Sequence, residues 1–239
     1  CVSRLRGGRF RLHAAQGGLR AALLEAVTRS MWLPGSGRIS DALVACPYFC
    51  LPDHLVAVPA GAFSRCTALS SELILPDAIT KIGNFAFRGC SALTDLRLPA
   101  AVTSVGDFAF RDCCALTNFT MPASLTSIGK AALKGCISLK QISFPAGLTY
   151  IGSYAFQGCS SLTSITGMEA VTLIQNNAFQ STGLTSITGI ESVTSIEQWA
   201  FSASGPIGIT AGVIVEITVG IVVWLRNSSN SSATMGLQR

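Results

Sequence analysis

Five cysteines recur on a fixed beat: Cys66, Cys90, Cys113, Cys136 and Cys159, spaced 24, 23, 23 and 23 residues apart. Regular cysteine of this kind points to one of three chemistries: a metal site, a disulfide framework or a nucleophile. A structural zinc site gathers four ligands from close spacings such as Cys-x2-Cys, which this series lacks. A nucleophilic thiol needs a neighbouring base, and both histidines of the chain, His13 and His54, lie outside the repeating stretch. Nine cysteines in total is an odd number, so they cannot all pair. A free cysteine packs as a small hydrophobe, and that role tolerates replacement: Thr182 and Ser204 take the next two positions. The series reads as core, and no metal or other cofactor is expected.

A second cluster, Cys46, Cys50 and His54 in CPYFCLPDH with Asp53 adjacent, has the outline of a metal half-site. Pro47 and Pro52 prevent the regular helix that would align its side chains, and the spacing matches no usual zinc pattern. A cap or approach loop is the expected role. With only two histidines and scattered carboxylates, no acid–base or nucleophilic set can be assembled, so the chain is not expected to be an enzyme.

The elements that carry the cysteines follow from an internal repeat. A marker Phe or Leu falls at Phe63, Phe87, Phe110, Leu133, Phe156, Phe179 and Phe201, at intervals of 24, 23, 23, 23, 23 and 22. In the unit IGNFAFRGCSALTDLRLPAAVT, from Ile82 to Thr103, Leu96 and Leu98 alternate with polar residues as in a half-buried strand. Pro99 ends that strand because proline cannot donate to a ladder, and Pro76, Pro122 and Pro145 end three others. A short extended piece follows (Val102 to Val105, Leu125 to Ile128, Leu148 to Ile151), then a turn at Gly83, Gly106, Gly129 or Gly152. Asn84 to Cys90 is compact enough for one helical turn, with Ala86, Phe87 and Cys90 inward. No single coil can bury its own apolar side, so the coils must stack into a solenoid with a parallel sheet. Phe87, Phe110, Phe156, Phe179 and Phe201 would form an aromatic spine, and Leu93, Leu116, Leu139, Leu162 and Leu184 an aliphatic one.

The units IGNFAFRGCSALTDLRLP and IGSYAFQGCSSLTSITG follow the motif I-G-x-x-A-F-x-G-C-x-x-L-T-x-I-x-h-P, where h is apolar. In this the chain resembles the BspA-type subfamily of leucine-rich repeats, over about residues 56–205. The resemblance implies a leucine-rich-repeat solenoid of about seven coils, with a parallel β-sheet and short helical turns. It also implies kinship with surface proteins of bacteria and some protists, hence a cell-surface or extracellular place and an adhesive or recognition role.

Outward-facing strand positions are the candidate ligand-binding surface. Three columns run down the coils: Thr94, Thr117, Lys140 and Thr163; Asp95, Asn118, Gln141 and Ser164; Arg97, Thr120, Ser143 and Thr166. The first continues to Thr185, the second to Ser186 and the third to Thr188. This is a nearly neutral sheet of hydroxyls and amides without an aromatic stripe, suited to a protein or a glycan through many modest hydrogen bonds, and equally readable as a solvated face.

The segments outside the array read differently. Residues 1–40 carry seven Arg against Glu25, a net of +6, while residues 41–239 sum to −1. The basic pI therefore describes the arm, and the body offers no basic face for nucleic acid. Within the arm (1–55), Leu19 to Leu33 has the spacing of an amphipathic helix, stopped by Pro34 and Gly35. It is expected to cap the first coil, or to bind a membrane surface or act as a transit segment. A chain starting at Cys1 is expected to be a fragment or a processed product.

The apolar piece 206–226 contains Ile207 to Leu225, nineteen residues with Glu216 as their one charge. Its length suits a membrane anchor. Its period of two and its β-branched residues suit strands that close the stack. The polar tail 227–239 holds the glycosylation acceptor patterns Asn227-Ser228-Ser229 and Asn230-Ser231-Ser232, and a third is Asn118-Phe119-Thr120. Taken together, the expected function is a non-catalytic binding module at a cell surface. The alternatives are an intracellular, cytoplasmic scaffold and the recognition part of a larger enzyme.

Overall fold

The computed structural model describes residues 2–4, 10–12, 51, 54–69, 73–204, 207–209, 216–217 and 225–227. Two stacks of short parallel strands run through the repeat region. One consists of Asp95–Arg97, Asn118–Thr120, Gln141–Ser143, Ser164–Thr166, Ser186–Ile187, Ile207–Ile209 and Leu225–Asn227. It divides into a pair and a five-stranded sheet in the order of the chain. The other begins with Ala57–Val58, Lys81–Ile82, Ser104–Val105, Ser127–Ile128 and Tyr150–Ile151, and continues with Leu173–Ile174, Ser195–Ile196 and Glu216–Ile217. The short extended pieces expected after each proline are thus a second parallel sheet. Registers advance by one repeat, as in Leu96 opposite Phe119 and Ile82 opposite Val105. A shared period is what places like residues over like, and it turns each sequence column into a spatial column.

Alternation decides burial. In Asp95–Arg97, Asn118–Thr120 and Gln141–Ser143 the middle residue is buried and its neighbours are exposed. Leu96, Phe119 and Ile142 enter the core with the fully buried Leu93, Leu116 and Leu139. The expected aromatic spine is present. Phe63, Phe87 and Phe110 stack at 5.0 and 5.1 Å, and Phe156, Phe179 and Phe201 at 5.3 and 5.5 Å. Leu133 interrupts the rings, and the strand residues Phe119 and Phe144 pack their own rings against Phe110 and Phe156.

The third side of each coil corrects one expectation. Asn84 to Cys90 is not a helical turn, and no helix occurs among the described residues. Residues from Gly83 to Cys90 form overlapping tight turns, with Ala86, Arg88 and Cys90 donating to Gly83, Phe85 and Phe87. The intervening N–H groups of Phe85, Phe87 and Gly89 donate to Asp107, Ala109 and Arg111 of the next coil. To aim N–H groups alternately inward along the turn and outward to the next coil, the backbone enters the left-handed region twice per coil. Phe85 and Gly89 do so at φ 59° and 73°, Phe108 and Asp112 at 57° and 62°, and Tyr154 and Gly158 at 64° and 76°. For an L-residue that conformation costs roughly 1–2 kcal/mol. Ala86, Phe87 and Cys90 nevertheless point inward as expected.

The turn ladder brings coils close together. A Cβ on Gly129 would lie 2.7 Å from the backbone nitrogen of Asp107, so that glycine answers a close approach and not a positive φ.

Two further features lie beyond the repeats. Val2–Arg4 pairs antiparallel with Phe10–Leu12. In the apolar tail, Ile207–Ile209 pairs with Ser186–Ile187 and with Leu225–Asn227, and Glu216–Ile217 pairs with Ser195–Ile196. No helix among the described residues is long and apolar enough to cross a membrane. The amphipathic stretch Leu19 to Leu33 lies outside the described residues, as do Cys46, Cys50 and Asp53.

Candidate functional site

The cysteine column shows what the repeating thiols do. Cys66, Cys90, Cys113, Cys136 and Cys159 are buried, and the last four carry free thiols. Each thiol from Cys90 onward donates to a carbonyl of the preceding coil: Cys90 to Phe63 at 3.0 Å, Cys113 to Phe87 at 3.1 Å, Cys136 to Phe110 and Cys159 to Leu133 at 3.2 Å. Ser204 continues the pattern with 2.7 Å to Phe179. Thr182 instead bonds the same Phe179 carbonyl from within its own coil, and its hydroxyl meets Ser204 at 3.0 Å. These side chains are coil-to-coil ties as well as filling. Burial pushes the Cys113 and Cys159 thiols up to about 12 and raises Cys90 and Cys136 well above the ordinary 9.0. A thiol held protonated by burial is a poor nucleophile. Among the described residues no group of three or more His, Cys, Asp or Glu is placed to hold a metal ion, and His54 sits exposed in a turn.

The strand face separates into columns with different duties. In the first, Thr117 donates its hydroxyl to the Thr94 carbonyl at 3.1 Å, Thr163 to Lys140 at 3.3 Å, and Thr185 to Thr163 at 3.2 Å. These threonines tie coils together, which sequence alternation alone did not reveal. In the second column Asn118 donates its amide to the Asp95 carboxylate, while Gln141 is exposed and Ser164 half-buried. Arg97, Thr120, Ser143, Thr166 and Thr188 of the third are all exposed, and they are the part of this face least committed to the fold. An analogous threonine ladder lines the second sheet, from Thr80 on Val56 to Thr149 on Thr126.

The turn side holds a feature that sequence reasoning missed. The first left-handed position of successive coils is occupied by Gly61, Phe85, Phe108, Ala131, Tyr154, Asn177 and Trp199. Phe85 and Trp199 are 37% and 47% exposed, and Phe108 and Tyr154 are half-buried. Phe85 and Phe108 stack at 4.9 Å with planes 1° apart. Cations sit over the rings: Arg88 at 5.9 Å from Phe85, Arg111 at 5.8 Å from Phe108, and Lys130 and Lys134 at 5.9 and 5.7 Å from Tyr154. The available signal was the aromatic two residues before the markers Phe87, Phe110, Phe156 and Phe201, which a helical reading of Asn84 to Cys90 concealed.

Comparison with known proteins agrees with this geometry. A profile of the BspA type leucine rich repeat region matches in six copies, over residues 45–113 and 80–207. A leucine-rich repeat protein from Bacteroides ovatus superposes with a TM-score of 0.63 at 27% identity, covering 72% of this chain and 45% of that one. A leucine rich cell surface protein from Faecalibacterium prausnitzii gives 0.60 at 28% identity, covering 67% and 46%. The T. pallidum leucine rich repeat protein gives 0.53 at 26% identity, covering 67% and 70%. The chain thus spans less than half the length of the first and second of these proteins. No curated protein matches it. Stacked parallel coils, a buried Phe spine and six copies of the repeat have one common source: the chain belongs to the BspA-type leucine-rich repeat family.

Proposed function

We propose that this chain is a non-catalytic recognition module that works at a cell surface and binds a protein or glycan ligand. The observation that carries the reading is the division of labour among the repeats. Thiols, threonines and turn amides hold each coil to the next, while Arg97, Thr120, Ser143, Thr166 and Thr188 remain exposed at one-coil intervals. A stack of packed coils presents those groups without ordering them on binding, which limits the entropic cost of association. The surface placement draws support from the similar Faecalibacterium prausnitzii protein, described as a leucine rich cell surface protein.

A second reading, an intracellular scaffold, is favoured by the free thiols, since proteins of oxidising compartments usually pair their cysteines. Protease treatment of intact cells carrying a tagged array separates the two. Digestion from outside is the expected result. Protection until lysis would sink the surface reading in favour of the scaffold.

A further inference from the structure

The aromatic column on the turn side asks why bulky rings occupy backbone positions that disfavour them. Gly61, Ala131 and Asn177 fill the equivalent position in other coils, so the fold has no need of a ring there. Stacking compensates in part for Phe85 and Phe108, which lie on each other. Tyr154 has no such partner, because its column neighbours are Ala131 and Asn177, and among the described residues the column neighbour of Trp199 is Asn177. Strained aromatics that stay partly exposed and that ring stacking does not explain point toward recognition.

Charge singles out the same side. In the five turn segments between Pro59 and Cys159 stand Arg65, Arg88, Arg111, Lys130 and Lys134 against Asp107 and Asp112. The rest of residues 54–204 carries three basic and six acidic side chains. Both turn aspartates are engaged: Asp112 pairs with Arg111 at 3.3 Å, and Asp107 accepts the Lys130 backbone N–H at 2.8 Å. The turn N–H groups of Phe85, Phe87 and Gly89 are consumed by the next coil, so an extended peptide could not add to this side as a strand. A ligand would instead be held by the exposed parts of the rings and by the cations.

We propose that the turn side, centred on Phe85, Phe108 and Tyr154 with Arg88, Lys130 and Lys134, binds an acidic polysaccharide lengthwise along the coils. The apolar faces of sugar rings pack on the aromatics, and uronate carboxylates or sulfates meet the cations. The 4.9 Å step from Phe85 to Phe108 is close to the length of one sugar in an extended chain, so these two coils address successive units, and Tyr154, two coils beyond Phe108, meets a later one. The assignment rests on the recognition reading above, narrows its ligand class, and adds the turn side to the exposed strand-side column as a contact.

The test is equilibrium binding of the full chain to polygalacturonate and to dextran sulfate, with neutral dextran and polyglutamate in parallel. Binding to either acidic polysaccharide, at least tenfold stronger than to neutral dextran or polyglutamate, is expected. The first two probes distinguish carboxylate from sulfate recognition. The double variant Phe108→Gly, Tyr154→Gly should lose tenfold or more of that affinity with an unchanged or raised melting temperature, since glycine relieves the left-handed strain. Arg88→Gln with Lys134→Gln should weaken binding and flatten its salt dependence. Equal affinity for polyglutamate, or binding indifferent to loss of the rings, would overturn the assignment in favour of a charge-only surface. No binding to either acidic polysaccharide would also overturn it. A chain shielded on intact cells that binds polygalacturonate through these rings would sink the surface reading alone. An exposed chain indifferent to both acidic polymers would sink this one alone.

Discussion

Phe110 shows what one side chain contributes. It stacks on Phe87 at 5.1 Å, meets the edge of Phe119 at 5.0 Å and is fully buried in a middle coil. Truncation to alanine removes both ring contacts and leaves a cavity that rigid neighbouring coils cannot close. Phe110→Ala should cost about 3–5 kcal/mol, read from denaturant unfolding. Cys113→Ser should be far milder, because a hydroxyl can donate to the Phe87 carbonyl as Ser204 does to Phe179. The thiols also set a pH limit. Their folded values lie above the ordinary 9.0, with Cys113 and Cys159 at about 12, so the folded state holds these protons more tightly than the unfolded chain. That stability is fully present below pH 9 and is lost as pH rises toward 12, which thermal melts across the alkaline range should register.

At the scale of the element, the turn ladder determines how closely coils can approach. Gly129 faces the Asp107 backbone nitrogen, which would lie 2.7 Å from an added Cβ, and a backbone atom cannot swing aside as a side chain can. Gly129→Ala should therefore force two coils apart and cost about 1–3 kcal/mol, the range of overpacking. Chemical denaturation of the variant checks this. A value near zero would mean that the ladder yields. The threonine ladders act on the strand sides as the cysteines act inside, with a side-chain bond to the coil before at most steps.

Among the described residues of the array, contacts run from neighbour to neighbour, since each coil bonds the coil before and the coil after it. Stability in such a stack sums intrinsic and interface terms along one dimension, so coils with two partners outlast those near an end. Amide exchange should be slowest in the coils around Phe110 to Phe156 and faster toward Val58 and Phe201. Uniform protection would mean that segments beyond the repeats cap both ends strongly.

The period in the sequence was enough to determine the solenoid, the Phe spine and the buried cysteines. Stacking at a fixed interval follows from repetition itself, and alternation names the inward residues of Asp95–Arg97 and its equivalents. It did not determine the second sheet, the thiol and threonine ties, or the turn that replaces a helix at Asn84 to Cys90. Two-residue strands such as Ser104–Val105 have too few positions to show a period. The sequence likewise singled out Thr94, Thr117 and Thr163 as outward but could not tell that two of their hydroxyls were already spoken for. Phe85, Phe108 and Tyr154 became a column only in three dimensions. Their common left-handed φ arises because every turn N–H must reach either its own coil or the next, a demand that exists only once the coils are stacked.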